Sequence, residues 1–253
     1  MHRLAPLVCA GLVLAACSGP AAPPAVRVAG VPFHAQEGFR CGPASLAMML
    51  GWTGLDVRAD TLEAAFARRS GDPRKVLVAA AARYGRFAYP VSGLDAVIAE
   101  LDSGHPVLLL ENRGVAEKPL WNCVVAVGHD RGALLVNGGG QAGRAVSFDL
   151  LERLWGDAGH WGLVILNPGD LPVAPRRDGV VAAAANLGLA GRHWEAVLAY
   201  DAALARWPGD SEALTGLGAS LRLLGDAQGA AEAYRAAAES TSTVAETRDG
   251  RRQ

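Results

Sequence analysis

Cys41 heads an apolar, helix-forming run, Cys41-Gly42-Pro43-Ala44-Ser45-Leu46, and Gln36 lies five residues upstream. A thiol at a helix N-terminus feels the partial positive charge of the unpaired N–H groups there. That field favours the thiolate, the form that attacks carbonyl carbon. A nearby glutamine can offer its side-chain NH2 to a developing oxyanion, beside the backbone N–H of the cysteine. Such a pair suits attack on a carbonyl carbon, and acyl transfer from an amide needs one more group. A base must hold the thiolate, and an acid must then protonate the departing amine.

Over Gln36 to Leu46 the sequence resembles the papain-like double-glycine leader peptidases of bacteriocin exporters. It is more closely similar to their stand-alone bacterial lipoprotein relatives with tetratricopeptide repeats. In that family a catalytic His opens a buried strand, typically as Trp-His before a hydrophobic run. The corresponding stretch here is Trp121-Asn122-Cys123-Val124-Val125-Ala126-Val127-Gly128. The resemblance therefore implies Cys41 as nucleophile, Gln36 as oxyanion-hole glutamine and Asn122 in the place of the His. Asn137, at the end of the next strand, matches the Asp or Asn that orients that His. An amide cannot serve as base or acid near neutral pH, so the resemblance also implies impaired hydrolysis.

The other histidines offer few substitutes. His129 lies seven residues after Asn122 on one strand, roughly 23 Å away at ~3.3 Å per residue and on the opposite face. His34 and His160 remain open as displaced bases, while His105 follows Gly104 in a turn and is expected to be solvated. Gly138-Gly139-Gly140-Gln141-Ala142-Gly143 formally matches a dinucleotide-binding fingerprint. A strand pattern follows it where a helix is needed, so a hairpin is expected and no cofactor. No His/Cys/Asp/Glu cluster has metal-ligand spacing, so no metal is expected.

The elements that position these residues are helices first, then strands. Pro43 to Trp52 is apolar and helical. Asp72-Pro73 opens a second helix with a cap and a Pro at its first position, closed by Gly85. Ser92-Gly93-Leu94-Asp95 opens a third, ending near Ser103-Gly104. Short apolar runs follow at 107–110, 123–127, 133–136, 145–148 and 163–166, with a tight turn at Asp130-Arg131-Gly132. The expected class is α+β, a papain-like fold over 31–167.

Met1-His2-Arg3 followed by the apolar run Leu4 to Ala16 has the form of a signal peptide, too short to span a bilayer. It ends in Leu14-Ala15-Ala16-Cys17, which resembles a bacterial lipobox. Residues 1–17 are thus expected to be a lipoprotein signal with Cys17 lipidated, and 18–30 a Pro-rich tether. Ser18 after that cysteine favours the outer membrane, facing the periplasm. Of the four cysteines, Cys9 would leave with the signal. Cys123 reads as a buried small hydrophobe one residue past the face that points at the site, so Cys41 is left as a free thiol. With 24 basic against 25 acidic residues and no block of like charge before the tail, nucleic acid is not an expected partner.

The last third carries a repeat beyond a linker at 168–176. Gly191, Ala196, Tyr200 and Ala203 recur as Gly225, Ala230, Tyr234 and Ala237, each offset by 34 residues. That period resembles tetratricopeptide repeats, and two such units are expected over 177–240, leaning on the first domain or on a partner. The polar residues 241–253 are expected to be disordered. Three functions compete: an impaired cysteine peptidase-like lipoprotein that still holds extended peptides, an active peptidase with a displaced base, and a repeat-led scaffold.

Overall fold

The computed structural model describes residues 25–36, 41–66, 72–115 and 117–249, with side chains through residue 241. The signal segment, Cys17, most of the tether and Glu37–Arg40 lie outside the described residues.

The apolar runs pair into one antiparallel sheet. Its strands are β1 (Val26–Arg27), β2 (Phe87–Ser92), β3 (Val107–Asn112), β4 (Trp121–Asp130), β5 (Ala133–Gly138), β6 (Gln141–Ser147) and β7 (Trp161–Leu166). Their order is β2-β7-β3-β4-β5-β6, and β1 adds to the far end of β4. β3 and β4 lie at the centre of the sheet, β3 buried throughout and β4 buried from Cys123 to Gly128, because helices cover both their faces. β2 contains Pro90, whose missing N–H suits an edge strand.

Two helices matter most for the site. α1 (Cys41–Trp52) buries every residue from Gly42 to Leu50 and packs on β3, β4 and β5. α5 (Phe148–Trp155) packs on β3 and β6, with Leu151 and Trp155 buried. The expected strand at 145–148 ends one residue early. Ser147 Oγ accepts the Leu150 N–H at 3.3 Å, and this cap turns Phe148 into helix. Between these, α2 (Ala59–Phe66), α3 (Pro73–Arg83) and α4 (Leu94–Asp102) complete the first half. α3 starts as expected, with the Asp72 carboxylate accepting the Arg74 N–H at 3.0 Å.

The last third forms four helices, α6 (Arg177–Leu189), α7 (His193–Arg206), α8 (Ser211–Leu223) and α9 (Ala227–Asp249). The turns within the two pairs fall at Gly191 and Gly225, with φ of 77° and 88°. That left-handed geometry is why glycine recurs there. The expected disordered tail is instead helical as far as Asp249, since no Gly or Pro interrupts the run between Ala230 and Gly250.

A seam joins this helical part to the sheet. α6 packs on β2, and Tyr89 of β2 lies so close to Gly179 that an added Cβ would stand 2.7 Å from its ring. The stretch 168–176 is tied down as well. Its Arg176 N–H donates to Tyr89 Oη at 3.0 Å, and the Val173 N–H donates to Glu100 Oε1 at 2.8 Å. Val180, Ala184, Leu187 and Tyr200 belong to the same apolar core as the sheet.

Candidate functional site

Cys41 is the first residue of α1, and its sulfur sits among the backbone N–H groups of Cys41, Gly42 and Cys123. It also lies 3.9 Å from the Trp121 carbonyl at the start of β4. The Cys123 thiol lies beside it and is the neighbour that acts on it most strongly. Cys41 is half-buried and Cys123 fully buried, and no disulfide joins them.

That contact fixes the faces of β4. Neighbouring strand residues point to opposite sides, so Cys123 turns toward α1 and Asn122 turns away. The expectation that Asn122 faces Cys41 is therefore not met. Asn122 Nδ2 instead donates to Glu111 Oε2 at 3.0 Å, its cross-strand partner on β3. Arg113 adds a guanidinium N–H to the same oxygen at 3.3 Å. Glu111 is fully buried, and its Oε1 has no partner among the described residues.

The electrostatics of the thiol pair follow from this geometry. The Cys123 S–H donates toward Cys41, and this hydrogen bond is the largest influence favouring the Cys41 thiolate. Partial burial opposes it, while the N–H groups of Cys123, Gly42 and Cys41 assist. Together they bring Cys41 down to about 6. Cys123 moves the opposite way. Its hydrogen bond to the Cys41 sulfur, its burial and the charges of Cys41 and Glu111 hold its proton in place. The proton stays on the inner sulfur and the charge on the outer one.

Gln36 is anchored rather than free. Its Nε2 donates to Ser45 Oγ at 2.9 Å and to the Cys123 carbonyl at 3.2 Å, while its Oε1 accepts the Gly139 N–H at 2.9 Å. Both hydrogens of the amide are thus engaged, and an incoming oxyanion has to displace one of these acceptors. Asn137 opposes Val125, which places it on the same face of the sheet as Cys123. Its Oδ1 accepts the Gly143 N–H at 2.9 Å, closing the glycine hairpin between β5 and β6.

No imidazole is among the groups that act most strongly on the Cys41 thiol. His160 pairs with Glu152 at 2.8 Å and packs edge-on against Trp155. His129 pairs with Asp102 at 2.7 Å. His105, expected to be solvated, is half-buried against Trp52 and pairs with Glu100 at 2.7 Å. His34 is half-buried in the chain that leads into Gln36. An open cavity of about 500 Å³ lies between Arg113, Arg144, Leu154 and the Gly138–Gly140 turn. Because Arg144 opposes Val136, and Val136 opposes Ala126, that cavity is on the Asn122 side of the sheet. The cavity and the thiols occupy different faces.

Sequence reasoning missed two members of this neighbourhood, Cys123 and Glu111. The signal for Cys123 was its count: were Cys9 and Cys17 to belong to the expected signal segment, two cysteines would remain, and in an oxidising compartment such pairs tend to meet. Glu111 had a signal too, as a lone acid closing an otherwise apolar strand run.

No family model matches the chain. No curated protein matches it either. Among solved structures it is similar to C39-like double-glycine peptidase domains. A C39-like peptidase from Bacillus anthracis is 19% identical, with 57% of this chain and 98% of that chain covered and a TM-score of 0.49. The peptidase domain of Streptococcus ComA, a bi-functional ABC transporter, is 18% identical over 54% of this chain and 98% of that chain, with a TM-score of 0.46. A double glycine motif protease from an AMS/PCAT transporter, solved with its leader peptide, is 20% identical over 56% and 98%, with a TM-score of 0.42. All three TM-scores lie under one half. The role of each residue here rests on the geometry above.

Proposed function

We propose that this chain is an exported lipoprotein of cysteine peptidase-like fold that holds extended peptides and has lost efficient hydrolysis. The observation that carries the reading is the partner of Cys41: a thiol stands against it where a peptidase needs an imidazole. A thiol held protonated by its interaction with the Cys41 sulfur and by burial gives no general base near neutral pH, and it offers no cationic acid for the departing amine. The reading of Leu4 to Cys17 as signal and lipobox supports export and anchoring, with the outer membrane facing the periplasm as the favoured location. The paired helices α6–α9 are read as two tetratricopeptide-like units. Their exposed Trp194, Leu223 and Leu224 give a second, compatible role in binding a protein partner.

The test uses the mature, lipid-processed chain and a fluorescence-quenched peptide with a Gly-Gly scissile site. The expected result is saturable binding with no turnover above a Cys41→Ala control. Turnover that Cys41→Ala abolishes would establish the active peptidase and redirect attention to His34. Absence of binding would leave the scaffold role of α6–α9.

A further inference from the structure

The two sulfurs differ in the way that a working dithiol requires. Cys41 is half-exposed at a helix N-terminus, its sulfur 3.9 Å from the Trp121 carbonyl, whereas Cys123 is buried beside it two residues further along β4. Neither thiol is otherwise accounted for. Among the described residues no imidazole is one of the groups that act most strongly on the Cys41 thiol, and the packing of β4 needs only a small apolar side chain at position 123. We propose that Cys41 and Cys123 form a redox pair that exchanges with cysteine disulfides, Cys41 attacking and Cys123 resolving. This inference does not depend on peptide binding or on hydrolysis.

The chemistry balances in two steps. The Cys41 thiolate attacks one sulfur of a disulfide RS–SR′, forms the mixed disulfide Cys41–S–S–R and releases R′S⁻. Cys123 then loses its proton and attacks the Cys41 sulfur, forming the Cys41–Cys123 bond and expelling RS⁻. The protein dithiol gives up two electrons and two protons, and the substrate disulfide takes up both to become two thiols. The charge distribution favours this order. The outer sulfur is the one ionised near neutral pH, whereas the inner one cannot be reached first. In the first product the negative charge on Cys41 is gone, so Cys123 loses the acceptor and the repulsion that held its proton. The resolving thiol is therefore released for attack by the step that needs it.

The same geometry gives the disulfide a consequence for the cleft. Cys41 heads α1, and the Cys123 carbonyl accepts a hydrogen bond from Gln36. Joining the sulfurs draws the helix start onto β4 and removes the nucleophile, so the oxidised form is closed to any thiol-dependent chemistry at this site.

Glutathione disulfide serves as the probe, with the full chain reduced beforehand and the products mapped by protease digestion and mass spectrometry. In the unaltered protein the peptides bearing Cys41 and Cys123 are expected to be found joined, with two glutathiones released and little glutathione left on Cys41. In Cys123→Ala the adduct on Cys41 should persist, at least tenfold above the unaltered chain, and Cys41→Ala should give neither product. Reduced glutathione in excess should reopen the bond. A chain that accumulates the Cys41 adduct while Cys123 remains free would overturn the proposal. So would a joined pair that excess glutathione cannot reopen, which would mark a fixed structural staple. Should Cys123→Ala not fold, as judged by its circular dichroism, Cys123→Ser replaces it, and the map of the unaltered protein still decides.

Discussion

The two faces of β4 carry unlike chemistry a single residue apart. Toward α1, Cys123 meets the Cys41 thiol beneath a helix terminus, and Gln36 ties the entering chain to the carbonyl of the same residue. Toward α5, Asn122 meets the buried carboxylate of Glu111, with Arg113 closing over it. The first face holds a group whose charge changes near pH 6, half open to solvent. The second holds a polar cluster locked inside a packed sheet. Reactivity and stability have been separated by the alternation of a strand, and a shift of one register position would exchange them.

The largest effect that bears on this contrast is on hydrolysis. Cys123→His would set an imidazole on the Cys41 side, on the same face as Asn137. Turnover of the quenched peptide should then rise by on the order of 10²–10⁴ above the unaltered chain. Asn122→His would send its ring toward Glu111 and should gain nothing. A gain from Asn122→His and none from Cys123→His would reverse the two faces.

A middle-sized effect belongs to the α5 side. Asn122→Leu removes a donor from a carboxylate that is already one partner short. The loss should be about 1–3 kcal/mol in stability, read as a drop in melting temperature. Iodoacetamide labelling of Cys41 in the same variant should keep its rate, since the thiol lies across the sheet. Slowed labelling at unchanged melting temperature would mean that the faces communicate.

The smallest effect is a shift in a pH profile. With Cys41 brought down to about 6, its alkylation rate should climb as pH rises through that value and level off above it. Cys123→Ala takes away the strongest support of the thiolate, so the midpoint should move up toward the ordinary ~8.5 of a free thiol. Labelling near that lowered midpoint should slow accordingly. An unmoved midpoint would assign the shift to the helix terminus alone.

Much of this arrangement was legible in the sequence, and the part that was not has a specific cause. The helix start at Cys41, the cap at Asp72 and the hairpin glycines follow from local preferences, which act over a few residues. The facing of β4 does not. Cys123 to Val127 is apolar throughout, because both sides of an inner strand are buried, so no alternation marks which residue points where. A family resemblance then set Asn122 on the reactive side, and only the pairing of Asn122 with Glu111 corrects it. β2 went unseen because Pro90 interrupts it, and α5 because Phe148 continues a strand-like run until Ser147 caps it. Gln36 was singled out for its side-chain amide, and the structure ties that amide into the fold. Its three side-chain contacts involve residues as distant as Gly139, and nothing near it in sequence announces them.

The seam at Tyr89 has a consequence for how the molecule comes apart. Its ring lies against Gly179 of α6, and its hydroxyl holds the backbone of Arg176. Opening α6 therefore strips a cover from the outermost strand, and melting that strand removes the support of α6. Heat should find one cooperative unit over 26–237, with a single calorimetric transition and amide protection lost together in β2 and α6. The strand under that seam is joined through β7 and β3 to the one that bears Cys123.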